Sequence, residues 1–302
     1  MMQRKKISIM LLLALLVLLT ACQTQQQPTP QRGAFIGGTQ GVIAKFELFG
    51  VEEEGVYTIF SSETFPMEVT LFNKGEYQLQ PGDVMVKLLG PSQSEFSGIA
   101  SWSLANSGVI DKVSELSTSG GEETITFAID ALYRTDVIGV VDREWFANVE
   151  YNYQTSVIIP EVCLKEDLTD TRVCDVKEAK PFFVSGAPIT VSSVEEETAG
   201  KGIMALKIKV KNVGGGKVTM RGEEFSATNE QLSYSLDDPD WECKSTGRVN
   251  EARLRDNEAE IVCKLKNPLS PGTVSTKQVK LTLDYKYRDI IQETLRIKES
   301  AE

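Results

Sequence analysis

The chain has 302 residues, 32 of them basic and 43 acidic, with a formal charge of −11 and no histidine. That balance disfavours phosphate backbones as partners, so nucleic-acid binding is not expected. The missing imidazole removes Ser-His-Asp, Cys-His and His-ligated metal chemistry. Neither a phosphate-cradling loop nor a Gly-x-Ser-x-Gly elbow occurs, so no enzyme activity and no cofactor are expected.

The first element reads as an export signal. Arg4-Lys5-Lys6 precede the apolar-dominated run Ile7–Leu19, which is shorter than the roughly 20 residues that span a bilayer. The run ends in Leu19-Thr20-Ala21-Cys22, which resembles the lipobox of exported lipoproteins. The resemblance implies a signal peptide over 1–21 and lipid on Cys22, the first residue of the mature protein. Without residues 1–21 the balance becomes 29 basic against 43 acidic side chains, or −14. Attachment to a membrane would then be covalent, not electrostatic. Gln23 to Arg32 reads QTQQQPTPQR, which has no aliphatic side chain to bury, so 22–39 reads as a flexible linker.

Strands follow. Met67-Glu-Val-Thr-Leu-Phe-Asn73-Lys-Gly75 and Leu206-Lys-Ile-Lys-Val-Lys-Asn212-Val-Gly214 both alternate apolar residues and end in Asn-x-Gly. Alternation of this length predicts half-buried antiparallel strands, with Asn and Gly supplying a turn by tolerating positive φ. Three further matches keep the same order: Trp102 with Trp241, Thr124–Ile129 with Ala259–Leu265, and Tyr151-x-Tyr153 with Tyr285-x-Tyr287. The repeat predicts two β-domains, 40–185 and 186–302, each with one buried tryptophan (Trp102, Trp241). Val109, Ile110, Val113 and Leu116 allow one short helix. Phe35, Phe46, Phe49, Tyr57, Phe60 and Phe65 are expected mainly in the core, with some of them lining a contact surface.

With Cys22 assigned to lipid, Cys163, Cys174, Cys243 and Cys263 remain, and four cysteines allow three pairings. Proximity favours Cys163–Cys174 and Cys243–Cys263, which fits an oxidising compartment. The first pair would close a loop that serves either recognition or bracing between domains. Glu52-Glu53-Glu54 and Glu195-Glu196-Glu197 read as solvated charge at strand ends. Asp237, Asp238 and Asp240 are weak candidates for a calcium-binding turn, and no other metal site is expected.

Short strands with turn residues every 8–12 positions suggest an all-β fold of two tandem sandwiches. The pattern resembles immunoglobulin-like modules of prokaryotic surface proteins. Leu206–Val218, with Lys-Asn-Val-Gly-Gly-Gly-Lys, is similar to the cell-adhesion-related domain of bacteria and archaea. That likeness implies a fold and an envelope setting and brings no catalytic residues. The reading that follows is a membrane-anchored, extracytoplasmic lipoprotein that binds an envelope or surface protein as an adhesion or scaffold component. The alternative is a solute- or polysaccharide-binding lipoprotein serving a transporter or surface enzyme, for which two α/β lobes would be expected.

Overall fold

Two strands set the architecture. Val140–Lys165 and Val274–Lys298, of 26 and 25 residues, pair antiparallel along almost their whole length, from Lys165 opposite Val274 to Val140 opposite Lys298. Their sequences show why. From Trp145 to Ile159 every odd-numbered residue is buried, as are the odd residues Val279–Tyr287 and then Leu295 and Ile297. A strand with one buried face throughout has its register fixed, because a slip of one residue would turn its apolar set to solvent.

The computed structural model describes residues 33–300 except Lys177 and Ala227. The segment 1–21, Cys22 and the linker as far as Arg32 lie outside the described residues. The described residues belong to one compact unit and are all-β, with a 3₁₀ turn at Gln93–Glu95 and no α-helix. The stretch around Ile110 and Val113, expected to allow a short helix, forms an isolated bridge between Leu79 and Ile110 instead.

A ten-stranded sheet is built around the long pair. Beside Val140–Lys165 lie Val84–Leu89 and then Ser103–Ala105; beside Val274–Lys298 lie Glu230–Leu236 and then Glu251–Leu254. Two smaller sheets cover its buried face. One has the order Val42–Phe46, Thr64–Asn73, Glu122–Tyr133, Phe96–Ser97, and Phe96 packs edge-on against Trp145 of the large sheet at 4.9 Å. The other runs Ile189–Gly200, Ile203–Asn212, Glu258–Leu265, Trp241–Ser245, Arg248–Val249. Thr155 of the large sheet donates to the Ile189 carbonyl across that interface at 2.6 Å. The layers are consistent with a β-sandwich, and one hydrophobic cluster runs through both halves.

The repeat seen in the sequence is a repeat of hydrogen bonds. Tyr153 donates from its hydroxyl to Asn73 Oδ1 at 2.9 Å, and Tyr287 donates to Asn212 Oδ1 at 3.0 Å. Each asparagine oxygen also accepts the amide of the glycine two residues on, Gly75 or Gly214. These glycines do not have the positive φ expected of them. A Cβ at either would collide with the tyrosine hydroxyl, so the motif needs glycine for close approach, not for a left-handed turn. Burial pushes both phenols up, Tyr287 to about 12. Because the two bonds are equivalent, Tyr153→Phe and Tyr287→Phe are expected to cost similar amounts. Each leaves a buried asparagine oxygen short of a donor, worth about 1–3 kcal/mol in urea denaturation.

Trp102 departs from expectation. It is half-buried and stacks on Trp145 at 5.4 Å, and Trp145 is the fully buried indole of the first half. Trp241 opens the strand that pairs with Glu258–Leu265. The residue in the matching place is Phe96, which opens the strand pairing with Glu122–Tyr133.

Candidate functional site

Both favoured disulfides form. Cys243 and Cys263 lie directly opposite each other on neighbouring strands of one sheet, and Cys163 and Cys174 close a loop at the end of Val140–Lys165. The loop is built around a cation. Lys165, 2 % exposed, donates its ammonium to the Asp170 carbonyl at 2.6 Å and to the Cys174 carbonyl. Above it, Arg172 holds the Asp170 carboxyl down at about 2. Lys165, Leu168, Asp175 and Val176 line a cavity of about 160 Å³.

A second buried lysine lies beside the loop. Lys180 Nζ sits 2.7 Å from Glu196 Oε2 and 3.0 Å from Glu178 Oε1, with Lys180 and Glu196 only 2 % and 0 % exposed. Glu196 Oε1 also accepts the Cys163 amide at 2.8 Å, tying the pair to the disulfide. Burial pushes the Glu196 carboxyl up, against the pull of Lys180. Burial also opposes the Lys180 charge, but its bonds to Glu196 and Glu178 outweigh it and raise its pKa. Glu196 is therefore not the solvated strand-end charge the sequence suggested, whereas Glu52 and Glu53 are exposed as expected. Alternation from Val194 was the available signal that Glu196 turns inward, whereas a bulge between Val191 and Ser193 breaks the count from Val191. A further cavity of about 440 Å³ follows this strand, lined by Glu178, Ala179, Glu195, Glu196, Glu197 and Thr198.

The acidic turn Asp237, Asp238 and Asp240 is used by the fold. Asp237 Oδ1 accepts the Lys280 amide at 2.8 Å, and Asp238 Oδ1 accepts the Asp240 amide at 3.1 Å. Lys277 Nζ closes on Asp238 Oδ2 at 2.7 Å. The three carboxylates do not converge, and among the described residues no group of three or more His, Cys, Asp or Glu is arranged to hold a metal. Burial works against the Asp238 charge, but Lys277 outweighs it and holds the carboxyl below its ordinary value of 3.8. A depressed carboxyl contributes stability above its unfolded pKa and loses it as pH falls through the folded value. Asp238→Asn is therefore expected to lower the melting temperature at neutral pH and to flatten its decline below about pH 4, read by scanning calorimetry.

The other face of the large sheet is open and carries a ladder of cross-strand ion pairs. Arg288 and Lys286 meet Glu150, Arg296 meets Asp142, and Lys298 meets Glu53. Phe225 covers Arg288 with its ring at 3.9 Å. Partly exposed pairs of this kind fix register and contribute little stability. Between them Leu89 and Ile290 stand 38 % and 56 % exposed. Loop, cavities and open sheet offer surfaces for binding. No protein-family model matches the chain, and no curated protein matches its sequence.

Proposed function

We propose that the protein is a membrane-anchored, extracytoplasmic lipoprotein whose two immunoglobulin-like sandwiches bind an envelope or surface protein. The repeated strand order carries this reading. Each half has a four-strand path, Val42–Phe46, Thr64–Asn73, Glu122–Tyr133, Phe96–Ser97 in one and Ile189–Gly200, Ile203–Asn212, Glu258–Leu265, Trp241–Ser245 in the other. A four-strand sheet packed on a second sheet is how immunoglobulin-like sandwiches are built, which supports the reading. The likeness of Leu206–Val218 to cell-adhesion-related domains fits the same order, as do two disulfides, which suit an oxidising compartment outside the cytoplasm. Lipid at Cys22 would hold the protein, the glutamine-rich linker would give reach, and loops and strand edges would make contact. Two α/β lobes, the usual frame for solute capture, have no counterpart among the described residues, which are all-β.

In-cell cross-linking with mass spectrometry, wild type beside Cys22→Ala, tests the reading. The expected result is recurrent links from one envelope protein to lysines of the folded unit, lost in the variant along with membrane fractionation. Links only within the chain, or equal release of both proteins into the soluble fraction, would overturn it.

A further inference from the structure

The repeat and the pairing register together define a pseudo-twofold axis. Tyr151 and Tyr153 recur 134 residues later as Tyr285 and Tyr287, and Tyr151 pairs with Tyr287 while Tyr153 pairs with Tyr285. The rotation that exchanges these pairs passes through Asn152 and Lys286, which face each other. Every position along one long strand therefore has a counterpart 134 residues away on the other, and the neighbours of the two can be compared.

At one place the first long strand has an added neighbour and its counterpart has none. On the outer edge of Val140–Lys165, the chain's own segment Phe183–Val184 adds an antiparallel strand, Phe183 opposite Ile158 and Val184 opposite Val157. Ser185 extends it, donating its amide to the Ser156 carbonyl and accepting the Ser156 amide on its hydroxyl, both at 2.9 Å. The counterparts of Ser156, Val157 and Ile158 are Ile290, Ile291 and Gln292. The outer edge of Val274–Lys298 is paired at Leu281–Asp284 by Glu230–Leu236, at Lys286–Arg288 by Lys217–Thr219, and at Leu295–Lys298 by Val56–Phe60. Among the described residues no strand pairs with the outer edge of 289–294. This leaves a notch of six residues, about 20 Å long at strand rise.

Local chemistry shows what the notch lacks. The Ile290 amide donates at 2.9 Å to the carboxylate of the residue before it, Asp289, where the Ser156 amide reaches the hydroxyl of an added strand. The Thr294 amide does the same to Glu293 at 3.2 Å. These amides point away from Val140–Lys165, and by alternation so does that of Gln292. Two side-chain oxygens stand in for a missing strand, and Ile290 is exposed above them.

We propose that the notch at Asp289–Thr294 receives an extended segment of the partner protein as an added antiparallel strand, a proposal that rests on the binding reading above. The segment is apolar where it lies over Ile290 and basic where it passes Asp289 and Glu293, whose carboxylates lose their amide donors when the strand enters. A second copy's notch cannot fill this one, because Lys217–Thr219 and Val56–Phe60 project in the plane of the sheet on either side. Strand addition draws affinity from main-chain bonds and specificity from alternate side chains.

The chain supplies the probe. A synthetic peptide of residues 180–187, Lys-Pro-Phe-Phe-Val-Ser-Gly-Ala, already pairs with the equivalent edge and is added to the full chain in detergent. Amide exchange at Ile290, Gln292 and Thr294 is expected to slow saturably by at least about tenfold, equivalent to 1.4 kcal/mol. The same peptide N-methylated at its serine, which lacks the amide donor for the Ile290 carbonyl, should bind at least about tenfold more weakly. Gln292→Pro removes one edge amide at a position where proline is tolerated, and should also abolish protection while the melting temperature holds. Unchanged exchange, equal binding of the methylated peptide, or protection that tracks protein concentration without peptide would each overturn the proposal. If cross-linking names a partner but these amides stay unprotected, the notch proposal falls and the binding reading stands. If the peptide protects them but no partner is cross-linked, the edge takes a strand, and the proposal that a partner protein supplies it falls with the binding reading.

Discussion

Fragments 40–185 and 186–302, cut where the sequence repeat places a boundary, are expected to remain unfolded when expressed separately. The full chain is expected to unfold in a single transition. The reason is reciprocal lending. Residues 295–298 of the last strand pair with Val140–Arg143 and with Val56–Phe60, all in the first half, and bury Leu295 and Ile297 completely. Residues 155–165 of Val140–Lys165 in turn pair with Val274–Leu283 and bury Val157, Ile159 and Val162 beside the second half's sheet. Each fragment loses several fully buried aliphatic side chains, at about 1.5–3 kcal/mol apiece, together with the central rungs of its sheet. The two side chains in one case and three in the other amount to about 3–6 and about 4.5–9 kcal/mol, which with the lost rungs is comparable to the 5–15 kcal/mol by which domains are ordinarily stable. Far-UV circular dichroism and urea denaturation read the outcome, and mixing the fragments should restore strand signal by reconstituting the pair. Two independent transitions in the full chain, or a cooperative transition in either fragment, would show that the halves stand alone.

The second large effect is expected at Lys180 and Glu196. Glu196→Gln and Lys180→Met each leave one buried charge without its main partner, a change that costs about 3–5 kcal/mol. The double variant should lose less than the sum, since no isolated charge then remains. The two singles differ with pH. In Lys180→Met the carboxyl of Glu196 keeps only the Cys163 amide, and burial raises its pKa further. A group with a raised folded pKa contributes stability below its unfolded value, 4.5 for this glutamate, and loses it as pH rises. The Lys180→Met deficit should therefore shrink in acid. In Glu196→Gln the stranded group is Lys180, still beside Glu178, and its deficit should shrink only toward alkaline pH, where the amine is neutral. Denaturation midpoints between about pH 4 and pH 9 separate the two. Equal deficits across that range would mean that the pair contributes through packing alone.

Much of the fold was legible because strands announce themselves by period. Met67, Val69 and Leu71, and likewise Leu206, Ile208 and Val210, are buried at the alternate positions read from the sequence. The Asn-x-Gly motif and the Tyr-x-Tyr motif were both visible, but their joining was not. A hydrogen bond between residues 80 apart leaves no mark on local composition. Period two tells which face of a strand is buried and not which strand lies beside it. The reciprocal pairing of Val140–Lys165 with Val274–Lys298 was hidden for that reason. The disulfides were readable from spacing. The buried lysines were not, since Lys165 and Lys180 sit among charged residues that usually stay in water. Trp102 drew attention as the match to Trp241, when Phe96 holds that place.

The reciprocal pairing also sets an order in time. Pairing across the long strands joins residues that are on average more than a hundred positions apart, which makes for slow closure. As the chain is made from its N-terminus, the first half has its own face sheet by Tyr133, yet Val140–Arg143 lack their long-strand neighbour until Leu295–Lys298 arrive. That neighbour is made more than 150 residues later. The two halves therefore close together, once both long strands exist, and not one after the other.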